Sequence, residues 1–255
     1  MEQADRVLQH AVRAVEASEA HETPFYHLRL SGILPADIYA AMLEAMPVPS
    51  DYRHMSGRTK YTRTDEGGTR TKIDIFPEYV RHLPAHKKAV WRVVGRVLRS
   101  RELREAFRRR LAPPLEQRFG ASWRHVGMYP IPVLTRDVAG YEIGIHSDTK
   151  SKGMTIQLYL PRDLSIPHIG TVFHARRADG AYERAYQMPF APNTGYAFAV
   201  GDDTHHSVDL VGPEVRTRDS ILLTYFLDNT AAYRTKNRLK RVANFLLNEM
   251  RQFGR

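Results

Sequence analysis

Two histidines and an aspartate in this sequence have the types and placement of a metal-ligand set. His146 and Asp148 stand two apart at the end of the β-type run Tyr141-Glu142-Ile143-Gly144-Ile145-His146-Ser147-Asp148. On a strand, residues i and i+2 leave the same side, so an imidazole and a carboxylate can meet one ion there. A second histidine follows 58 residues after Asp148, in Thr204-His205-His206-Ser207-Val208-Asp209-Leu210. Period two groups His206 with apolar Val208 and Leu210, and His205 with Ser207 and Asp209, so His206 is the inward candidate and His205 its rival. Two imidazoles and one carboxylate form a facial triad that leaves three coordination positions open and suits non-haem Fe(II). Twelve residues beyond His206, Arg218-Asp219-Ser220 opens an apolar run in which Arg218 and Ser220 share a side with Leu222 and Thr224. A guanidinium on that side is an unpaired buried charge unless a carboxylate meets it, and a dicarboxylate cosubstrate would supply one. Arg216 shares the face but lacks the serine partner. His168 and His174 sit beside a turn or at a strand end and read as solvent-facing or hydrogen-bonded.

Seven short β-type runs punctuated by Pro and Gly must carry these residues: 123–134, 141–146, 154–160, 171–174, 195–200, 206–211 and 220–227. With little helix between them, they predict a sandwich or barrel. Before them, apolar spacing predicts a helix over 4–17, a strand over 25–30, a helix to residue 46 that starts at Pro35-Ala36-Asp37 and stops at Pro47 and Pro49, and a helical stretch over 86–111 that Ser100 divides. Residues 50–71 read as a long polar loop or a hairpin that orders on ligand binding, a lid candidate whose Arg53, Arg58, Lys60, Arg63, Arg70 and neighbouring Lys72 could close over a ligand. Helical periodicity returns over 235–253. The expected organisation is a single domain over 1–255: helical and lid elements over 1–120, the β core over 121–230 and a closing helix over 231–255.

Composition narrows the chemistry. The chain has 255 residues, 42% hydrophobic and 26% charged, with no cysteine, which excludes a disulfide scaffold, a thiolate metal site and a cysteine nucleophile. No run approaches the roughly 18 apolar residues of a membrane span, and the acidic start is unlike a transit peptide, so the expected location is cytoplasmic. The formal charge of +10 is concentrated over 81–118, where 12 Lys and Arg face three acids. On an amphipathic helix this is first a solvated basic face, and second a docking surface for something anionic.

The order His146-x-Asp148, His206, Arg218-x-Ser220 resembles the Fe(II)/2-oxoglutarate-dependent dioxygenases, built on a double-stranded β-helix (jelly-roll) core. The resemblance covers about 123–226. It extends more faintly to Pro24-Phe25 and Gly32-Ile33-Leu34-Pro35, which are similar to the start of prolyl-4-hydroxylase-like members, and to Tyr159-Leu160-Pro161 and Gly170-Thr171-Val172-Phe173. It implies a mainly β (α+β) fold with flanking helices. It implies Fe(II) held by His146, Asp148 and His206, with Arg218 and Ser220 on the distal carboxylate of 2-oxoglutarate and Gln157 and Tyr159, beside Thr155, lining the cosubstrate side. O2 is then used to convert 2-oxoglutarate to succinate and CO2 while an unactivated C–H is oxidised. Family halogenases have Gly or Ala at the carboxylate position; Asp148 is kept here, which favours hydroxylation.

Tyr129, Arg136, Tyr141 and Lys150 flank the expected mouth as substrate contacts. The nucleic-acid demethylases of the superfamily resemble one another in an Arg-x-Asn-x-Thr-x-Arg segment, from which Arg218-Asp219-Ser220-Ile221-Leu222 departs. A small-molecule substrate, anionic or tethered to an acidic carrier, is therefore favoured over nucleic acid. Two alternatives stand: a non-catalytic basic jelly-roll that binds nucleic acid or an anionic surface, and a cupin-type dioxygenase that needs no 2-oxoglutarate. The motifs name neither the oligomeric state nor the substrate.

Overall fold

Alternation with period two sorts the side chains of the central strands into two cores, one under the helices and one between the sheets. The computed structural model describes residues 2–55, 63–64 and 67–228 and, beyond them, positions 235, 238, 239, 242, 243, 245, 246, 249 and 250. In chain order the elements are α1 (Glu2–Glu16), β1 (Glu19–His21), β2 (His27–Ser31), α2 (Ala36–Glu44), β3 (Arg53–His54), β4 (Arg63–Thr64), β5 (Gly67–Gly68) and β6 (Arg70–Asp74). Helices α3 (Pro77–Val80), α4 (Ala85–Leu98), α5 (Arg101–Arg110) and α6 (Ala112–Phe119) follow. The β-rich half holds β7 (Met128–Asp137), β8 (Ile143–His146), β9 (Lys152–Tyr159), β10 (Thr171–Arg176), β11 (Tyr182–Gln187), β12 (Thr194–Ala199), β13 (His206–Val208) and β14 (Arg218–Leu227).

Two antiparallel sheets face each other. The larger runs β1-β2-β12-β9-β14-β7-β6-β3 and the smaller β11-β10-β13-β8. From β7 to β14 the chain changes sheet at every step except β10 to β11, which is the jelly-roll winding. On the outer face of the larger sheet, Met154, Ile156 and Leu158 of β9 and Ile221, Leu223 and Tyr225 of β14 join Val7, Trp91, Val94 and Phe107 from the helices in one core. Between the sheets, Phe25, Tyr159, Phe173, Phe190, Tyr196 and Phe198 form a second, aromatic core, with Phe25 and Phe173 ring centroids 4.8 Å apart. Such a core suits a narrow gap between sheets, because aromatic rings fill it with large, stiff side chains.

The expected helices form close to their predicted bounds. The break at Ser100 is a cap: its side chain accepts from the Leu103 amide and starts α5. Much of the basic segment serves structure. Arg108 donates to the Arg124 and Val126 carbonyls, Arg109 pairs with Glu16 and Lys87 donates to the Met46 carbonyl.

Of the two readings of 50–71, the hairpin is the one the described residues show, β3 pairing with β6 and β4 with β5, both antiparallel. β3 and β6 extend the larger sheet beyond β7, and three of the supposed lid cations are engaged there: Arg53 and Lys72 with Asp74, and Arg70 with Asp137. Arg58 and Lys60 lie outside the described residues. β11 was missed because its exposed, polar sequence lacks strand alternation. The closing helix over 235–253 falls largely outside the described residues; its described positions up to 250 are helical. Among the described residues, no helix is long and apolar enough to cross a membrane.

One close approach is expected to be unforgiving. A Cβ on Gly170 would lie 1.6 Å from the Met188 carbonyl oxygen, where backbone must move to admit it. Gly170→Ala is expected to cost about 3 kcal/mol, at the upper end of overpacking penalties, read as a lowered urea midpoint at unchanged slope.

Candidate metal and anion site

The smaller sheet brings the two histidines together by strand register. His206 on β13 pairs with His146 on β8, their ring centroids lie 4.4 Å apart, and the loop after β8 returns Asp148 to the same spot. One ligand atom from each of His146, Asp148 and His206 lies within 4.8 Å of the others. Backbone carbonyls settle the tautomers. His146 Nδ1 stands 2.9 Å from the Gly144 carbonyl and His206 Nδ1 3.0 Å from the Thr204 carbonyl; a carbonyl only accepts, so both Nδ1 atoms carry the proton and both Nε2 lone pairs are left for an ion. Burial pushes the His206 imidazole down to about 4, even with Asp148 nearby, so it is neutral at pH 7, the form that ligates. Burial raises the Asp148 carboxyl, but Lys152, His206 and Thr155 outweigh it and hold the group down at about 2. Asp148 accepts from Lys152 and, at 2.6 Å, from the Thr155 hydroxyl. The donor set is two imidazoles that present Nε2 and one carboxylate, which fits a hard-to-borderline divalent ion.

His205 lies outside this set. Its Nδ1 donates to the Asp203 carbonyl at 3.1 Å and its ring packs at 4.7 Å on Tyr182, the opposite side of the strand from His206. His174 is bonded to the Ser207 hydroxyl at 2.8 Å and His168 is exposed.

The ligand atoms open into a cavity of about 250 Å³ between the sheets, whose wall includes Arg70, Tyr141, Gln157, Thr171, Tyr196 and Leu222. Behind that wall lies a buried polar network. Gln157 donates to the Ser220 hydroxyl at 2.9 Å and accepts from the Tyr196 hydroxyl at 2.9 Å; Ser220 also meets the Thr135 hydroxyl at 2.9 Å. The Tyr159 hydroxyl accepts from the Thr171 amide at 2.9 Å. Gln157 therefore reaches the cavity, whereas Tyr159 and Ser220 stand behind it.

Arg218 is fully buried on the face expected, but it is not the unpaired charge that the sequence suggests. Its Nη1 donates to Asp137 at 2.8 Å and its Nε to the Ile169 carbonyl at 2.7 Å, while Nη2 is buried with no hydrogen-bond partner. Asp137, at the end of β7, was not singled out in the sequence, nor was Arg70 as a site residue. The signal for Arg70 was present: the strand Arg70-Thr71-Lys72-Ile73-Asp74 hides inside a basic stretch.

The mouth residues divide. Tyr141 is buried in the cavity wall. Arg136 is corrected: it points to the outer face and pairs with Asp219 at 2.7 and 3.1 Å, because β7 alternates and Asp137 takes the inner side. Tyr129 is also corrected, lying at the far end of β7 opposite Phe226 and outside the cavity wall. Lys150 is 82% exposed and pairs with Asp202. It borders a second cleft of about 550 Å³, lined also by Phe25, Tyr26 and Gln117, that meets Asp148 from outside the cavity. Arg118 of α6 closes the base of that cleft. Its guanidinium donates to the Lys150, Lys152 and Val200 carbonyls at 2.6–2.7 Å and so ties the Asp148 loop to the end of β12.

No protein-family model matches this sequence, and no curated protein matches it. Solved structures do. A Pseudomonas putida prolyl-4-hydroxylase superimposes with a TM-score of 0.50 at 16% identity, covering 86% of this chain and 98% of its own. Prolyl 4-hydroxylase from Phytophthora capsici gives 0.54 at 13% identity, covering 97% of this chain and 75% of its own. In fold, this chain is a double-stranded β-helix of the kind found in these prolyl 4-hydroxylases.

Proposed function

We propose that the protein is an Fe(II)- and 2-oxoglutarate-dependent oxygenase that hydroxylates a small-molecule substrate. The observation that carries this reading is the convergence of two Nε2 lone pairs and one carboxylate at the mouth of a cavity with buried arginines. Bound Fe(II), with 2-oxoglutarate and O2, supplies the oxidising power for an unactivated C–H and yields succinate and CO2. The chain's own residues supply the rest. His146, Asp148 and His206 would hold the ion. Gln157, Tyr196 and Thr171 offer polar atoms along the cavity, and the buried Arg218, whose Nη2 lacks a partner, supplies positive charge for the distal carboxylate of 2-oxoglutarate. The cleft at Phe25, Tyr26 and Lys150 is the substrate's way in. The substrate is anionic or carrier-tethered, drawn by the basic chain, so its KM should rise with ionic strength while its kcat stays put.

The test is conversion of 2-oxoglutarate to succinate in the presence of O2, followed by mass spectrometry with and without Fe(II). Succinate that appears only with iron supports the reading. Salt-dependent binding to nucleic acid with no iron-dependent succinate would favour the basic binding module instead.

Arg118 is expected to matter at a distance. Removing its clamp in Arg118→Ala should weaken Fe(II) affinity about tenfold, within the range for lost outer-sphere support of a metal ligand, with an unchanged far-UV spectrum. Equilibrium dialysis of Fe(II) against both proteins checks it.

A further inference from the structure

Asp148 carries two donors, one on each oxygen. Its Oδ1 accepts from the Lys152 ammonium and its Oδ2 from the Thr155 hydroxyl at 2.6 Å, and both donors line the same cavity as His146, Asp148 and His206. A carboxylate has about four lone-pair sites, so each oxygen keeps one for an ion. The two donors differ in what they bring. A hydroxyl orients the carboxylate and adds no net charge, as outer partners of metal ligands commonly do. An ammonium orients it too, but it also sets a full positive charge on the carboxylate that an ion must share.

That charge is held in place. Lys152 opens β9, and both of its backbone groups are tied: the amide donates to the Thr149 carbonyl at 2.9 Å, and the carbonyl accepts from the Arg118 guanidinium at 2.7 Å. The side chain therefore leaves from a fixed root. It is 19% exposed and the Asp148 side chain 7%, so water and salt screen the ammonium weakly. Among the described residues, Asp148 is the one carboxylate in the cavity wall.

Resting on the metal-site part of the reading above, we infer that Lys152 is a positioning residue that lowers the affinity of the site for a divalent ion. Its ammonium aims Asp148 and at the same time repels the ion that Asp148 binds, so the ion is held exchangeably. Thr155 aims the same carboxylate without that repulsion.

The experiment measures Co(II) binding by calorimetry, and Co(II) release to excess EDTA, for wild type, Lys152→Met, Lys152→Gln, Lys152→Arg and Thr155→Val. Lys152→Met and Lys152→Gln remove the charge and should bind about tenfold more tightly and release more slowly, because the repulsion lost exceeds the orientation lost. Lys152→Arg keeps the charge and should bind like wild type. Thr155→Val should bind about tenfold more weakly, as for a lost outer partner of a metal ligand. A lysine that only orients Asp148 would behave as Thr155 does, so weaker or unchanged binding in the neutral Lys152 variants overturns the inference. Binding by Lys152→Arg as tight as by Lys152→Met overturns it too, since charge is then not the cause. Either result leaves the metal site and the oxygenase reading standing. A wild type that binds no Co(II) overturns the metal site, and this inference with it. The far-UV spectrum of each variant verifies its fold, and Lys152→Gln retains a donor toward Asp148 if the methionine variant does not fold.

Discussion

His206→Ala is expected to bind Fe(II) at least a hundredfold more weakly than wild type and to show no turnover, with the fold retained. Structural zinc sites with four ligands bind with roughly 10–16 kcal/mol, so one ligand carries about 3 kcal/mol, more than a hundredfold in affinity. A set of three has less to spare. The fold should survive because the imidazole is buried in a neutral state that burial itself disfavours from charging, and its Nδ1 bond goes to a local carbonyl two residues away. His205→Ala is the control. It removes the adjacent ring on the opposite face and should leave iron affinity unchanged. Equilibrium dialysis and thermal melts on the two variants separate the outcomes. Iron lost in His205→Ala and kept in His206→Ala would reverse the assignment.

Asp137→Asn should be the most destabilising isosteric change in the molecule. Breaking a buried ion pair by removing one partner costs about 3–5 kcal/mol, because the remaining charge stays desolvated and unmatched. Here one carboxylate serves two buried guanidiniums, so the upper part of that range applies. Against a total stability of about 5–15 kcal/mol, that is a third or more. Asp219→Asn is the comparison: it breaks a pair with Arg136 on the outer face, where both side chains keep some exposure, and should cost clearly less. Urea unfolding monitored by tryptophan fluorescence measures both. A midpoint for Asp137→Asn within 1 kcal/mol of wild type would contradict the buried cluster. The same cluster changes what Arg218→Ala should do. It would lose stability as well as cosubstrate affinity, because it strips one of the two donors from Asp137 and leaves a cavity.

The convergence of His146, Asp148 and His206 was legible because strand alternation is regular. Alternation put His206 inward with Val208 and Leu210 and His205 outward with Ser207 and Asp209, although Leu210 is exposed and Ser207 buried, and it placed Arg218 and Ser220 on the inner face of β14. The helical half was legible for a similar reason, since apolar spacing and the Ser100 cap are local signals. What escaped depends on partners distant in sequence. Asp137 and Arg70 are 67 residues apart, and nothing near either one announces the other. Arg136 was mistaken for a mouth residue because one step along β7 reverses its face, and the strand ran three residues further than its apolar pattern suggested. The pairing of Arg53, Arg70 and Lys72 escaped because basic residues in a polar stretch look the same whether they face solvent or pair with buried acids such as Asp74 and Asp137.

The most direct measurement is anaerobic addition of Fe(II) and then 2-oxoglutarate to the purified protein, followed by visible absorption. A keto acid chelated to an open Fe(II) face gives a weak visible charge-transfer band. The account predicts that band in wild type after both additions, its absence with either alone, and its loss in His206→Ala. Iron that binds without any band on 2-oxoglutarate addition, or a band that survives in His206→Ala, would contradict it.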